Sequence, residues 1–309
     1  MNTPQANSYF DWRVRVFARL LWVVAATLML LAACGQSPQP LRIVASPSPT
    51  PTSSPTAPPT LTPTPTLTPT PTSTPAGWET VAGGVQIRQM VGLEAERSSS
   101  IFALRLDPAR IDVLLRYDPG RPRSVAGWLA AEQPIAVLNA GFFDRDNEPV
   151  GLWVIDGATF GRGHFRMQGE FRVTGAGVSI RRVDERYLVD GTRTIASLES
   201  YPLLIYSRSV PRVRGRSELA ERAVVGIDGA GYIVFLLIPS DIFSLRGLAG
   251  WLHRSDLNLD VALNLDGGSS AGMLVQTGAG VWGADSGRDV PGALIVVPKP
   301  MGLEGSESQ

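Results

Sequence analysis

Residues 260–275 read D-V-A-L-N-L-D-G-G-S-S-A-G-M-L-V. An apolar, strand-like run stops at a carboxylate, Asp266, and two glycines and two serines come next before a second apolar run begins. Gly267 and Gly268 lack a Cβ, so their backbone can approach a ligand closely. Free amides, the hydroxyls of Ser269 and Ser270 and one carboxylate gathered at a strand end make a candidate site for a polar or anionic substrate. A tight Asp-Gly hairpin turn without chemistry accounts for the same residues. A second segment, residues 135–151, reads I-A-V-L-N-A-G-F-F-D-R-D-N-E-P-V-G. Asn139 ends a buried strand, Gly141 leaves room for close approach, and Phe142 and Phe143 lie between Asn139 and Asp144. Aromatic faces bracketed by polar groups suit a sugar, which has an apolar ring face and polar edges. The alternative is a core Phe pair beside a turn.

Other patterns carry less. Asp144, Asp146, Asn147 and Glu148 begin like a calcium loop. However, Pro149 stands where such a loop needs glycine and no glutamate closes it, so an acidic surface turn is expected and no dedicated metal site. Residues 268–272, G-S-S-A-G, fit a serine nucleophile elbow. The residues after them have strand rather than helix character, and the two histidines, His164 and His253, both precede them, which argues against Ser270 as a nucleophile. The G-R-G of residues 161–163 lacks a strand-to-helix setting and is set aside. His164, in a glycine-flanked loop, is a further candidate acid or base. His253 sits near a helix end, where it favours the dipole.

These groups need a scaffold to position them. Strand patterns fall at residues 101–106, 111–117, 135–139, 151–156, 202–206, 223–228, 232–238, 261–265, 273–276 and 293–297, with weaker ones at 171–173 and 177–180. Residues 228–231 read as the turn of a hairpin. Only two helices are expected, residues 125–132 capped by Ser124 and 245–253 capped by Ser244. Many strands with few helices predict an α+β fold, a single domain with a mixed, mostly antiparallel twisted sheet.

The chain has 309 residues and a net formal charge of zero, with no run of basic residues that would mark a nucleic-acid partner. Residues 1–33 read as an export segment, with Arg13, Arg15 and Arg19 ahead of an apolar run. Its L-A-A-C ending resembles a lipobox, which implies cleavage before Cys34 and lipid attachment to that sulfur. Residues 14–33 are also long enough for an uncleaved anchor. Cys34 is the single cysteine, so no intramolecular disulfide can form. Residues 34–77, rich in Pro, Thr and Ser, predict an extended stalk. Residues 78–300 predict the folded domain and 301–309 a small, polar, disordered tail. The expected location is the extracytoplasmic face of the cell membrane, reached through the lipid anchor.

Taken in order, Asn139-Ala140-Gly141-Phe142-Phe143, Pro149-Val150-Gly151-Leu152 with Asp156-Gly157, Pro202-Leu203-Leu204, Arg222-Ala223-Val224-Val225-Gly226-Ile227 and Leu263-Asn264-Leu265-Asp266-Gly267-Gly268-Ser269-Ser270 resemble the phosphodiester glycosidase family. The pattern departs from many members at Ser269 and Ala140, where glycine is common, and at Ala223, where threonine is. The resemblance implies hydrolysis of the bond between a sugar's anomeric carbon and a phosphate oxygen, with a carbohydrate or sugar-phosphodiester substrate; it names no cofactor. It also implies Asp266 as the carboxylate acting as nucleophile or base, with Asp144 second. Arg222 is the implied phosphate ligand, with a salt bridge at a strand start as the alternative. Asn139 and the amides around Gly267 and Gly268 are the implied orienting groups. A non-catalytic surface module that binds envelope glycan is the second reading.

Overall fold

A computed structural model describes residues 77–164, 166–185, 192–213 and 217–300. The expected export segment, Cys34, the stalk up to residue 76 and the tail after residue 300 lie outside the described residues. In chain order the strands are β1 (Glu79–Ala82), β2 (Val85–Glu94), β3 (Arg97–Leu106), β4 (Ile111–Tyr117), β5 (Ala136–Asn139), β6 (Trp153–Ile155), β7 (Ala158–Phe160), β8 (Gly169–Thr174), β9 (Gly177–Arg182), β10 (Thr194–Ser200), β11 (Leu203–Tyr206), β12 (Ala220–Asp228), β13 (Ile233–Phe243), β14 (Leu259–Asn264), β15 (Met273–Thr277), β16 (Gly280–Ala284) and β17 (Gly292–Pro298). Among the described residues two α-helices interrupt them, α1 (Val125–Glu132) and α2 (Leu245–Arg254).

The strands form three sheets, ordered β1-β2-β3-β13-β12-β14-β11, β7-β6-β10-β8-β9 and β16-β15-β5-β17-β4. Neighbours in each pair antiparallel, for example Val225 with Leu263 and Leu294 with Leu138. The α+β class therefore holds, with three sheets in place of the single sheet expected. Inward-facing residues of all three meet in one apolar core that includes Leu104, Leu138, Phe171, Leu198, Phe235 and Leu294. The indole of Trp153 is fully buried in it. A smaller core lies under α2, where Leu248, Ala249 and Leu252 pack with Phe243 and Leu236.

Both helices begin where the capping pattern predicts. The hydroxyl of Ser124 accepts from the amide of Gly127 and that of Ser244 from the amide of Gly247, at 3.2 and 3.0 Å, relieving N–H groups that the first turn leaves unbonded. His253 and Arg254 occupy the last turn of α2, where cations oppose the helix dipole.

Strand β13 runs on past Pro239, beyond the expected end at residue 238. Pro239 has no N–H for a ladder. The sheet absorbs it with a register jump: Arg222 faces Ile238, but Ala220 faces Phe243. Strands β1, β2, β7, β10 and β16 have no counterpart in the sequence expectation.

Candidate active site

Strands β5 and β14 both end in a buried asparagine. The amide of Asn264 donates to the carbonyls of Tyr201 and Leu265, at 2.9 and 2.7 Å. The amide of Asn139 donates to the carbonyls of Ala140 and Asp266, at 3.2 and 2.9 Å, and its oxygen accepts from the amide of Gly272 at 3.1 Å. Asp266 N in turn donates to the carbonyl of Ala140. The two loops singled out in the sequence, one after Asn139 and one after Asn264, are thus bonded directly to each other. A polar side chain buried with its amide satisfied in this way fixes local geometry. Asn139, one of the expected site residues, clamps the backbone that carries Asp266.

Asp266 emerges from β14 beside a short 3-10 turn, Gly268–Ser270. Its Oδ1 accepts from the amide of Gly267 at 3.0 Å, and the Ser270 hydroxyl bonds the same carboxylate. Burial pushes the Asp266 carboxyl up to about 6. The Ser270 hydroxyl, the Gly267 amide and the Arg288 charge pull the other way and are outweighed. Ser270 is itself buried, so its hydroxyl serves Asp266, and an exposed nucleophile is excluded by that position. Ser269 is exposed and packs on Gly287. Two glycines here are dictated by geometry. Gly268 has φ +58°, in the left-handed region. A Cβ on Gly267 would lie 2.7 Å from the carbonyl oxygen of Glu221.

Arg222 of β12 lies along the same turn, its Nη1 3.7 Å from where that Cβ would be. Among the described residues its guanidinium forms no ion pair. Nη2 donates to the carbonyls of Glu218 and Phe243, at 2.9 and 3.5 Å, and Nε is buried with no bonding partner. Burial lowers its pKa from the ordinary value, with Glu218 opposing. The salt bridge offered as the alternative for Arg222 is not formed; a half-buried cation faces the glycine turn.

Phe142 stacks on Tyr201, ring centroids 4.8 Å apart and planes 30° apart. Arg288 lies over the ring of Phe143 at 4.9 Å and is the cation felt by Asp266. Its loop is held by Ser286, whose hydroxyl accepts from Val125 N and donates to the carbonyl of Arg288. Gly141 is buried over Trp153, where a Cβ would stand 3.4 Å from Nε1. Asp266, Arg222, Arg288, Phe142, Phe143 and Tyr201 therefore belong to one neighbourhood. It combines a carboxylate of raised pKa, two arginines and stacked rings.

Asp144, next in the chain to Phe143, is exposed. Its Oδ1 accepts from the amides of Asp146 and Glu148, at 2.9 and 3.0 Å, closing its own exposed turn. The carboxylate expected second in catalysis also shapes its loop through this oxygen. His164 lines a cavity of about 630 Å³ together with Glu199 and Tyr206. Asp266 lines neither this cavity nor one of about 570 Å³ along β4.

No sequence pattern marks Tyr201, Arg288 or Glu199 as part of a site. Glu199 is buried and accepts from the amide of Leu152, while its backbone carbonyl comes within 2.7 Å of a Cβ position on Gly151. The tight glycines at 141 and 151 were the available signal that some backbone segment passes close to them.

The phosphodiester glycosidase family model matches residues 132–297. No curated protein matches the chain in sequence. Among solved structures, the zebrafish N-acetylglucosamine-1-phosphodiester alpha-N-acetylglucosaminidase catalytic domain, auto-inhibited by its pro-peptide, is similar with TM-score 0.56 and 16% identity, covering 72% of this chain and 87% of that one. A hypothetical protein from Synechocystis is similar with TM-score 0.47 and 15% identity, covering 69% and 62%. At such identities the zebrafish likeness concerns the fold.

Proposed function

The chain belongs to the phosphodiester glycosidase family, and on that premise we propose that its domain hydrolyses the bond between an anomeric carbon and a phosphate oxygen in sugar-1-phosphodiesters. The observation that carries the assignment is Asp266: a carboxyl pushed up to about 6 at the joint of the two loops, with the Arg288 charge acting on it and Arg222 against the adjacent Gly267. A phosphate monoester is a good leaving group, so the reaction needs little help from a general acid. It does need negative charge near the oxocarbenium-like carbon.

In this reading ionised Asp266 acts at the anomeric carbon, as nucleophile or as base for the attacking water. The C–O bond breaks toward phosphate, which leaves as the anion. Arg222 receives the phosphate, since a guanidinium with spare N–H groups matches phosphate oxygens. Gly267 and Gly268 bring backbone amides close to it. Phe142 and Tyr201 offer a stacked face for the sugar ring. Asn139 and Ser270 position the carboxylate without touching substrate.

The setting proposed is the cell envelope, with the domain held on its stalk by lipid on Cys34 and acting on envelope or extracellular glycans. The test is steady-state release of phosphate monoester from sugar-1-phosphodiesters by the wild-type domain and by Asp266→Asn. Turnover that depends on Asp266 supports the assignment. Equal rates in both proteins would overturn it. A domain that retains glycan without releasing product, with or without Asp266, would instead be a binding module of the same fold. That Asp266 lines neither the cavity along β4 nor the one at His164 is the observation favouring that second reading.

A further inference from the structure

Residues 285–290 form the loop that carries Arg288, and its backbone is fixed on both sides of that residue. Asp285 Oδ1 accepts from the amide of Ala126 at 2.8 Å, and the Ser286 hydroxyl accepts from the amide of Val125 at 3.1 Å, so the loop bonds the first turn of α1. The Ser286 hydroxyl also donates to the carbonyl of Arg288 at 2.8 Å, and Val290 exchanges two backbone bonds with Arg123. A Cβ on Gly287 would stand 3.5 Å from Ser269, so the loop rests on the turn that follows Asp266. Arg288 itself is exposed. Among the described residues its guanidinium is hydrogen-bonded to no carboxylate; it lies over the ring of Phe143 at 4.9 Å, and its charge acts on Asp266. Arg222 reaches the same turn at Gly267, and the space where a Cβ on Gly268 would stand is open. The backbone is fixed and the cation is spare, an arrangement suited to an anion that comes and goes.

Before cleavage, a phosphodiester carries one negative charge and ionised Asp266 another. When the C–O bond breaks, its electron pair stays on the phosphate oxygen. Asp266 becomes neutral, by bonding the anomeric carbon or by taking the proton of the attacking water. The phosphate monoester then carries nearly two negative charges. The total is unchanged, but it has moved from carboxylate to phosphate. Two guanidinium groups match it in both states. The one that changes partners is Arg288, because Arg222 is tied to the carbonyls of Glu218 and Phe243.

We propose that Arg288 is a second phosphate ligand, shared in time: it faces ionised Asp266 before the bond breaks and holds an oxygen of the departing phosphate monoester afterwards, an inference that rests on the hydrolysis proposed above. A cation already in place where charge develops needs no reorganisation as the bond breaks. Phe143 and the Ser286 bonds keep it there.

The test uses methyl phosphate as the probe of the site after cleavage. It is titrated by calorimetry into the wild-type protein and into Asp266→Asn, whose neutral amide stands for the discharged carboxyl. Arg288 is exposed, so Arg288→Gln should fold as the parent does. In the Asp266→Asn protein, Arg288→Gln should weaken methyl phosphate by about tenfold, the scale of one charge-assisted contact. Where Asp266 keeps its charge, the loss should be smaller, because the guanidinium is shared. Arg288→Lys keeps the charge without the planar fork and should lie between. In turnover of a sugar-1-phosphodiester, Arg288→Gln should lower kcat by about tenfold and move KM by less than about threefold, since the contact forms as the bond breaks. Equal methyl phosphate affinity with and without Arg288 would overturn the proposal. Equal losses in the two Asp266 settings, or a raised KM with kcat intact, would overturn it as well. The binding measurement needs no turnover. A wild-type protein that binds methyl phosphate in this Arg288-dependent pattern yet hydrolyses no sugar-1-phosphodiester would sink the hydrolysis and uphold Arg288 as a phosphate ligand.

Discussion

Asp266 is held where a carboxylate is least at ease. Its pKa moves from 3.8 to about 6 because burial disfavours the charge. That difference corresponds to at most roughly 3 kcal/mol. The folded protein binds this proton more tightly than the unfolded chain does. The stabilising contribution is therefore complete below about pH 3.8 and is lost as pH rises through about 6. Asp266→Asn should accordingly raise the melting temperature at pH 7, and the gain should vanish near pH 4, while hydrolysis is lost. Thermal melts at the two pH values check this. Arg222 leads to a separate expectation. Among the described residues its guanidinium bonds only to carbonyls, so Arg222→Met should leave the fold intact. It should lower kcat/KM on a sugar-1-phosphodiester by about 10–100-fold, the scale of one charge-assisted contact, and spare a neutral aryl glycoside. Equal losses on both substrates would remove Arg222 from phosphate recognition.

At the scale of elements, the site depends on two strands that stop at asparagines and on the bonds those asparagines make. Asn139→Ala would strip partners from the Asp266 carbonyl and the Gly272 amide in the interior, costing roughly 2–4 kcal/mol. Urea denaturation measures that loss, and an unchanged midpoint would show the clamp to be dispensable. Gly151→Ala drives a methyl to within 2.7 Å of the Glu199 carbonyl. It should destabilise by about 1–3 kcal/mol, read in the same titration. Strands of plain apolar character, such as Ile111–Tyr117, were legible in the sequence to the residue. Strand β10 was not, because it buries Ser197, Glu199 and Ser200 while exposing Ile195, inverting the pattern that hydropathy reads. Strand β2 hides for the same reason: Arg88 is buried against Asp256, whereas Val91 and Leu93 face outward. Asp266 was legible because a glycine turn closes an apolar strand. Arg288 was not, since only folding brings its loop over Phe143.

For the whole molecule, the expectation is a domain carried on a Pro/Thr/Ser stalk from a lipid-modified Cys34. Changing Cys34 to Ser should move the protein from the membrane fraction to the soluble fraction on cell fractionation, without altering the domain's own turnover. Persistence in the membrane fraction would favour the uncleaved apolar anchor. The most direct trial of the central claim is the pH dependence of kcat/KM for hydrolysis of a sugar-1-phosphodiester by the wild-type protein and by Asp266→Asn. The assigned role predicts a wild-type rate that climbs as pH rises through about 6, the value burial imposes on this carboxyl. It also predicts a variant slower by about two or more orders of magnitude across the range, as loss of a carboxylate acting at the reacting carbon requires. A variant that keeps the wild-type rate and the same climb would contradict it.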